Sequence, residues 1–266
     1  MFGVVPKVLW EPICDVDDQN RILLATRTLL AVNKKQGRIL LVDTGCGSKW
    51  EPDMAERFAV KPDLPSLPAA LRKIGASEED VTDVVISHLH FDHNGGLTYW
   101  SDGPQSPVKL VYANAKHWIH ADHWAHATRP HNKDKASFIA EDFAMLAGSA
   151  NLQLLDGEQA DASKSGFAWF ASNGHTPCQL HPIFASGEGE LVFSGDIVPT
   201  QRHLRPAWVM AYDVLPMSTI DEKLKLYERC LGSGSVLAFP HDPETAAVRL
   251  GGRINKPEIE ETLNLD

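Results

Sequence analysis

The densest concentration of reactive side chains is the decapeptide Ser87-His88-Leu89-His90-Phe91-Asp92-His93-Asn94-Gly95-Gly96. Imidazole is a borderline donor and carboxylate a hard one, so this HxHxDH cluster suits zinc and related divalent ions. On an extended segment alternate residues point the same way. His88 and His90 then share one direction, and Asp92 and His93 can face a second ion. A polar surface loop would account for one such histidine but not for the cluster.

The elements that must position this loop can be read around it. It directly follows the apolar run Asp83-Val84-Val85-Ile86, a short strand. Upstream, Arg21 to Val32 and Arg38 to Val42 are β-rich and flank the turn-like Asn33 to Gly37, which predicts a hairpin leading into Asp43-Thr44-Gly45-Cys46-Gly47. Leu67 to Ile74 has helical spacing and stops at Gly75. Ser77 with Asp80 reads as a cap. Further strands are expected at Val108 to Tyr112, Leu152 to Leu155, Phe167 to Ala171, Leu180 to Ala185, Glu190 to Ser194 and, last, Ser235 to Phe239. A helix is expected from Asn114 to His126 and another from Ser218 or Thr219 to Leu231.

This is not the regular alternation of a doubly wound parallel sheet. The expected class is α/β, a four-layer αββα sandwich of two mixed β-sheets with outer helices. The chain reads as one domain over 1–266, with a helical insertion at 113–150 that covers a site.

With these motifs in view, the sequence resembles the metallo-β-lactamase superfamily, whose signature is HxHxDH. Four further blocks agree in order: Asp43-Thr44-Gly45 after a strand, Gly174-His175-Thr176-Pro177, Ser194-Gly195-Asp196, and Phe239-Pro240-His241. The resemblance implies that His88, His90 and His175 hold one metal, that Asp92, His93 and His241 hold the other, and that Asp196 bridges them. Asp43 would orient a ligand from behind. The implied cofactor is two divalent metal ions, Zn2+ first, with Fe, Mn or Co also suited to oxygen and nitrogen ligands. The implied chemistry is hydrolysis of a small ester or lactone by a metal-bridging hydroxide, with Asp92 and Asp196 as the catalytic carboxylates.

The layout after Asp196 looks like the lactonase branch, yet Ile197-Val198-Pro199 stands where that branch carries a tyrosine. His203 or Tyr212 could substitute, although an isolated histidine such as His203 reads first as a polar surface residue. An organophosphate-hydrolysing branch, with aromatic walls to its pocket, draws attention to Phe91, Trp118, Trp124 and Trp208, and a glyoxalase II-like thioesterase is a further alternative. A flavodiiron-type redox protein is opposed by His90, and a non-catalytic binding protein by the full ligand set. His117, His120, His123 and His126 form a stripe three residues apart that reads as a solvated helix face.

Composition narrows the partners. The formal charge is -10 and basic residues do not cluster, which argues against nucleic acid. No apolar run reaches the roughly 18 residues of a membrane span, and no secretory leader is evident. Four cysteines without CxxC spacing argue against a disulfide framework and for a cytoplasmic setting, with Cys46 and Cys178 read as structural thiols. The expected partner is a small-molecule substrate. Apolar side chains on the insertion and the amino-terminal strands are the candidate surface of a homodimer.

Overall fold

The computed structural model describes residues 1–61, 67–186 and 189–265. The chain comprises two compact units, Thr26–Asp156 and Met1–Ala25 together with Gly157–Asp266. Each has its own sheet and its own apolar core.

In the unit Thr26–Asp156, β1 (Leu29–Asn33) and β2 (Arg38–Val42) form the expected hairpin, with Leu29 opposite Val42 and Asn33 opposite Arg38. β3 (Asp83–Val85) lies parallel to β2. β4 (Thr98–Trp100) and β5 (Val108–Leu110) make a separate two-stranded ribbon. β6 (Lys116–His120) and β7 (Leu152–Leu155) complete a five-stranded mixed sheet in the order β1-β2-β3-β6-β7. The interior strands pair in parallel; β2 and the Val84-Val85 of β3 are apolar, as strands covered on both faces tend to be, whereas β6 is Lys-His-Trp-Ile-His. Leu41, Val84, Ile86 and Ile119 are all fully buried and share a core with Leu71, Leu97, Tyr112 and Phe143. The Ser77–Asp80 cap forms as a reciprocal capping box.

The helical insertion requires correction. Lys116–His120 is strand, not helix, and sits between β3 and β7; the helix begins at Ala121 and ends at Thr128. Central sheet pairing overrode a local sequence poor in β-branched residues. The rest of 113–150 is short helical turns, including Ala140–Phe143.

In the other unit, β8 (Gln159–Ala160), β9 (Ala168–Ser172), β10 (Gln179–Ser186), β11 (Gly189–Phe193), β12 (Val236–Ala238), β13 (Ala247–Arg253) and β14 (Lys256–Leu263) form a seven-stranded sheet in the order β14-β13-β12-β11-β10-β9-β8. β11 and β12 are parallel and the remaining pairs antiparallel. Ser235 to Phe239 is therefore not the last strand: the β13–β14 hairpin follows it. The crossover between β11 and β12 carries helix Pro216–Ser233, which opens on Pro216 and closes at Gly234 in left-handed backbone, φ 66°. Its buried stripe of Thr219, Lys223, Leu226, Tyr227 and Cys230 follows helical periodicity. The α/β class with two mixed sheets and helices is borne out. No helix among the described residues is long and apolar enough to cross a membrane.

Candidate metal centre

In the unit Thr26–Asp156 the reactive residues leave the carboxyl ends of the parallel strands β2 and β3, the end at which open α/β sheets present their ligands. Asp43 follows β2 with φ 59° and is buried. Its Oδ1 accepts the backbone N–H of Ser87 at 2.7 Å, and its Oδ2 accepts both the Ser87 hydroxyl and Nδ1–H of His93, each at 2.7 Å. Ser87 Oγ in turn lies 3.0 Å from Nδ1 of His88. One carboxylate thus fixes two imidazoles, His93 directly and His88 through a hydroxyl. The lone pair of each is thereby placed on Nε2, since an ionised carboxylate only accepts. The rings of His88 and His90 are 4.5 Å apart, those of His88 and His93 4.0 Å, and His93 Nε2 lies 4.0 Å from Asp92 Oδ2.

The Asp43 loop and the histidine loop meet backbone to backbone. Thr44 N donates to His93 O at 2.7 Å and Gly96 N to Gly45 O at 3.2 Å. A Cβ on Gly47 would run into the backbone of Gly95, and one on Gly96 into the carbonyl of Thr44. Cys46, in the same loop, is half-buried, and the loss of solvent around its thiol pushes it up to about 12. That favours the structural reading of this thiol over a ligand role. All four cysteines are free thiols.

The second unit gathers its own set. His175 lies in the turn between β9 and β10, Asp196 follows β11 and His241 follows β12. The two Asp196 oxygens divide between the histidines: Oδ2 is 3.3 Å from His175 Nε2 and Oδ1 is 3.1 Å from His241 Nε2. His175 Nδ1 donates to Asp213 Oδ1 at 2.9 Å and His241 Nδ1 to the carbonyl of Ala25 at 2.7 Å. The turn bearing His175 is held by Glu222, whose carboxylate accepts the N–H groups of Asn173 and Gly174 at 2.7 and 2.9 Å. Asp213, Ser87 and the Ala25 carbonyl orient histidines that could hold a metal ion, Glu222 holds the turn that bears His175, and none of the four was legible as such. Asp213, Glu222 and Ala25 act on partners distant in sequence, and Ser87, although next to His88, acquires its role only from Asp43, 44 residues away.

The donor set fits a divalent metal. Buried imidazoles whose Nδ1–H goes to a carboxylate, hydroxyl or carbonyl present Nε2 in the tautomer an ion requires.

The residues read as pocket-lining take several roles. Phe91 packs with Trp50 at 5.6 Å and Phe58 at 4.9 Å. Trp118 is a buried β6 residue whose indole N–H donates to Asp83 at 2.8 Å, and Arg38 pairs with the same carboxylate at 2.7 Å. Trp124 packs edge-on to Phe143 at 5.7 Å. Trp208 is buried against Phe2 with Arg205 4.7 Å over its ring. Tyr212 is half-exposed. His203 is not a surface residue: it is fully buried, stacked on Phe2 at 4.6 Å, with Nδ1 2.8 Å from Thr200 Oγ1. Ile197 and Val198 are fully buried core residues. The histidine stripe is not solvated either: His117, His120 and His123 are buried, and His126 pairs with Asp134 at 2.7 Å.

The sequence model of the metallo-beta-lactamase superfamily matches residues 27–242. The chain belongs to that superfamily. A crystal structure of a probable metal-dependent hydrolase from Staphylococcus aureus is similar over 99% of this chain and 92% of its own, at 28% identity and a TM-score of 0.81. AidC, a dizinc quorum-quenching lactonase, is similar over 91% of this chain and 81% of its own at 22% identity and a TM-score of 0.71. Hydrolase AbOPH also shares the fold, at 20% identity and a TM-score of 0.71, covering 95% of this chain and 84% of its own. A probable metallo-hydrolase of Mycobacterium tuberculosis strain H37Rv is 31% identical over 134 residues, 46% of this chain. The match spans less than half of that relative's length, 42%. Within the superfamily assignment, the HxHxDH loop, His175, Asp196 and His241 all fall inside the matched range.

Proposed function

We propose that this superfamily member is a dinuclear metal-dependent hydrolase of small esters or lactones. His88, His90 and His175 would hold one ion, Asp92, His93 and His241 the other, and Asp196 would be shared. When bound, the ions supply a Lewis acid for the scissile carbonyl and activate water near neutral pH. Zinc suits this donor set best, and iron, manganese or cobalt are also compatible.

The chain's own contribution is orientation and proton handling. Asp43, Ser87, Asp213 and the Ala25 carbonyl hold His93, His88, His175 and His241 in the Nε2-ligating tautomer. Asp92 is the more open of the two catalytic carboxylates, with 26% side-chain exposure against 3% for Asp196. It is suited to exchanging a proton between solvent and the leaving oxygen, and the buried Asp196, between His175 and His241, would serve the ions chiefly as a ligand. No serine or cysteine nucleophile is required. The observation that carries this reading is the anchoring of Nδ1 on histidines of both units.

The small-ester or lactone class rests on the kinship with AidC and on Phe91, Trp50 and Phe58, which gather three rings near the histidine loop of their unit. Four free thiols suit a cytoplasmic, reducing setting. The test is metal analysis of the purified protein followed by turnover on lactones, aryl esters, phosphotriesters, β-lactams and glutathione thioesters. Two ions per chain with lactone or ester hydrolysis, abolished in His90→Ala and Asp196→Ala, is the expected result. A protein that takes up no divalent ion, or either variant turning over near normally, refutes the proposal, and thioester cleavage alone reassigns it as a thioesterase.

A further inference from the structure

We infer that His123 is a positioning residue for the metal-ligand loop, acting as the hydrogen-bond acceptor that sets the peptide between His88 and His90. This rests on the ligand assignment proposed above. Leu89, the residue between the two histidines, donates its backbone N–H to His123 Nε2 at 2.8 Å. An extended loop leaving a strand has no ladder partner at this point, and a buried N–H requires an acceptor. Here the acceptor is an imidazole from a helix 34 residues away. Nε2 accepts only when the ring is neutral with its proton on Nδ1.

The direction of the Leu89 N–H is the direction of the peptide plane, and that plane fixes where the side chains on either side project. His123 is fully buried, and its own position is secured from both sides. The His120 ring caps the start of helix Ala121–Thr128 by accepting from Asp122 N at 3.2 Å. Phe138 packs on His123 at 6.0 Å, on His126 at 5.7 Å and on His90 at 4.8 Å. Within the stripe that the sequence presents as a solvated face, His123 therefore clamps the ligand loop, while His120 caps its helix and His126 packs on the same Phe138.

The test compares three substitutions that differ in where an acceptor stands. In His123→Gln the amide oxygen reaches the place of Nε2. In His123→Asn it reaches only the place of Nδ1, and His123→Leu has none. Zinc affinity is measured by chelator competition on each metal-free protein, and the cobalt(II) absorption spectrum reports ligand geometry. Expected are a Gln variant within about threefold of wild type and Asn and Leu variants weakened about 10- to 100-fold, the usual cost of losing an outer partner of a metal ligand, with altered cobalt spectra. Wild-type affinity and spectrum in the Leu or Asn variant overturn the inference, as does a Gln variant as weak as Leu. Should the Leu variant fail to fold, the Gln and Asn pair carries the comparison, since both keep a polar amide. A wild-type protein that binds no zinc overturns instead the ligand assignment on which the inference stands.

Discussion

Asp213 Oδ1 accepts the Nδ1 proton of His175 at 2.9 Å, while its Oδ2 accepts the backbone N–H of Met210 at 3.2 Å. The carboxylate is thus itself pinned and aims the imidazole from behind. Asp213→Ala is expected to lower zinc affinity and kcat/KM about 10- to 100-fold with little change in fold, checked by chelator competition and steady-state kinetics. Unchanged affinity would show that His175 is oriented by other means.

Asp43 serves Ser87 and His93 with its two oxygens from left-handed backbone. Asparagine tolerates that backbone and keeps one acceptor; alanine does neither. Asp43→Asn is therefore expected to lose less activity than Asp43→Ala, and the alanine variant to lose thermal stability as well. Equal stability of the two would contradict the strain argument.

Lys49 and Asp142 form a buried ion pair at 2.6 Å, and Lys49 also donates to the carbonyls of Gly95 and Thr98 at 3.2 and 3.3 Å. Removing one partner leaves the other charge buried and alone. Lys49→Met is expected to cost about 3 to 5 kcal/mol in denaturant unfolding, and Lys49→Met with Asp142→Leu to cost less than the sum of the singles. Strict additivity would show the pair uncoupled.

His117 is buried on β6, and burial pushes its imidazole from 6.5 down to about 4. The folded protein keeps this ring neutral while the unfolded chain protonates it near pH 6.5. The stability tied to it is complete above that pH and is lost as pH falls toward 4. The loss amounts to about 3 kcal/mol at 1.36 kcal/mol per unit. His181, also pushed down to about 4 by burial, adds in the same direction. Unfolding free energies measured from pH 7 to 4 are expected to fall, and His117→Leu to flatten the slope; an unchanged slope would remove His117 from the explanation.

The superfamily motifs were legible because each is local: HxHxDH, Asp43-Thr44-Gly45, the His175 turn, Asp196 and His241 each follow a strand that its own residues announce. β2 and β7 appear with the bounds read from the sequence, and the capping box at Ser77 is written in adjacent residues. β6 was illegible because its strand character comes from the neighbours it lies between, not from Lys116-His117-Trp118-Ile119-His120. The β13–β14 hairpin was missed too: glutamates line β14, and Glu258, Glu260 and Glu261 are exposed on that edge strand. His123 and Asp213 were hidden for another reason, since a partner role is defined only once the chain has brought two distant segments into contact.

Between Asp43-Thr44-Gly45-Cys46-Gly47 and the Asn94-Gly95-Gly96 end of the histidine loop the chain leaves no room for even a methyl group. These two stretches behave as a single seam, and a bulkier residue at Gly47, Gly95 or Gly96 cannot be accommodated by shortening a side chain opposite, because the atoms it would meet first are backbone. Any drift or laboratory selection toward new substrates must therefore leave this seam intact and take its variation from surfaces with slack, such as the half-exposed Tyr212 or the Phe58 ring beside Phe91.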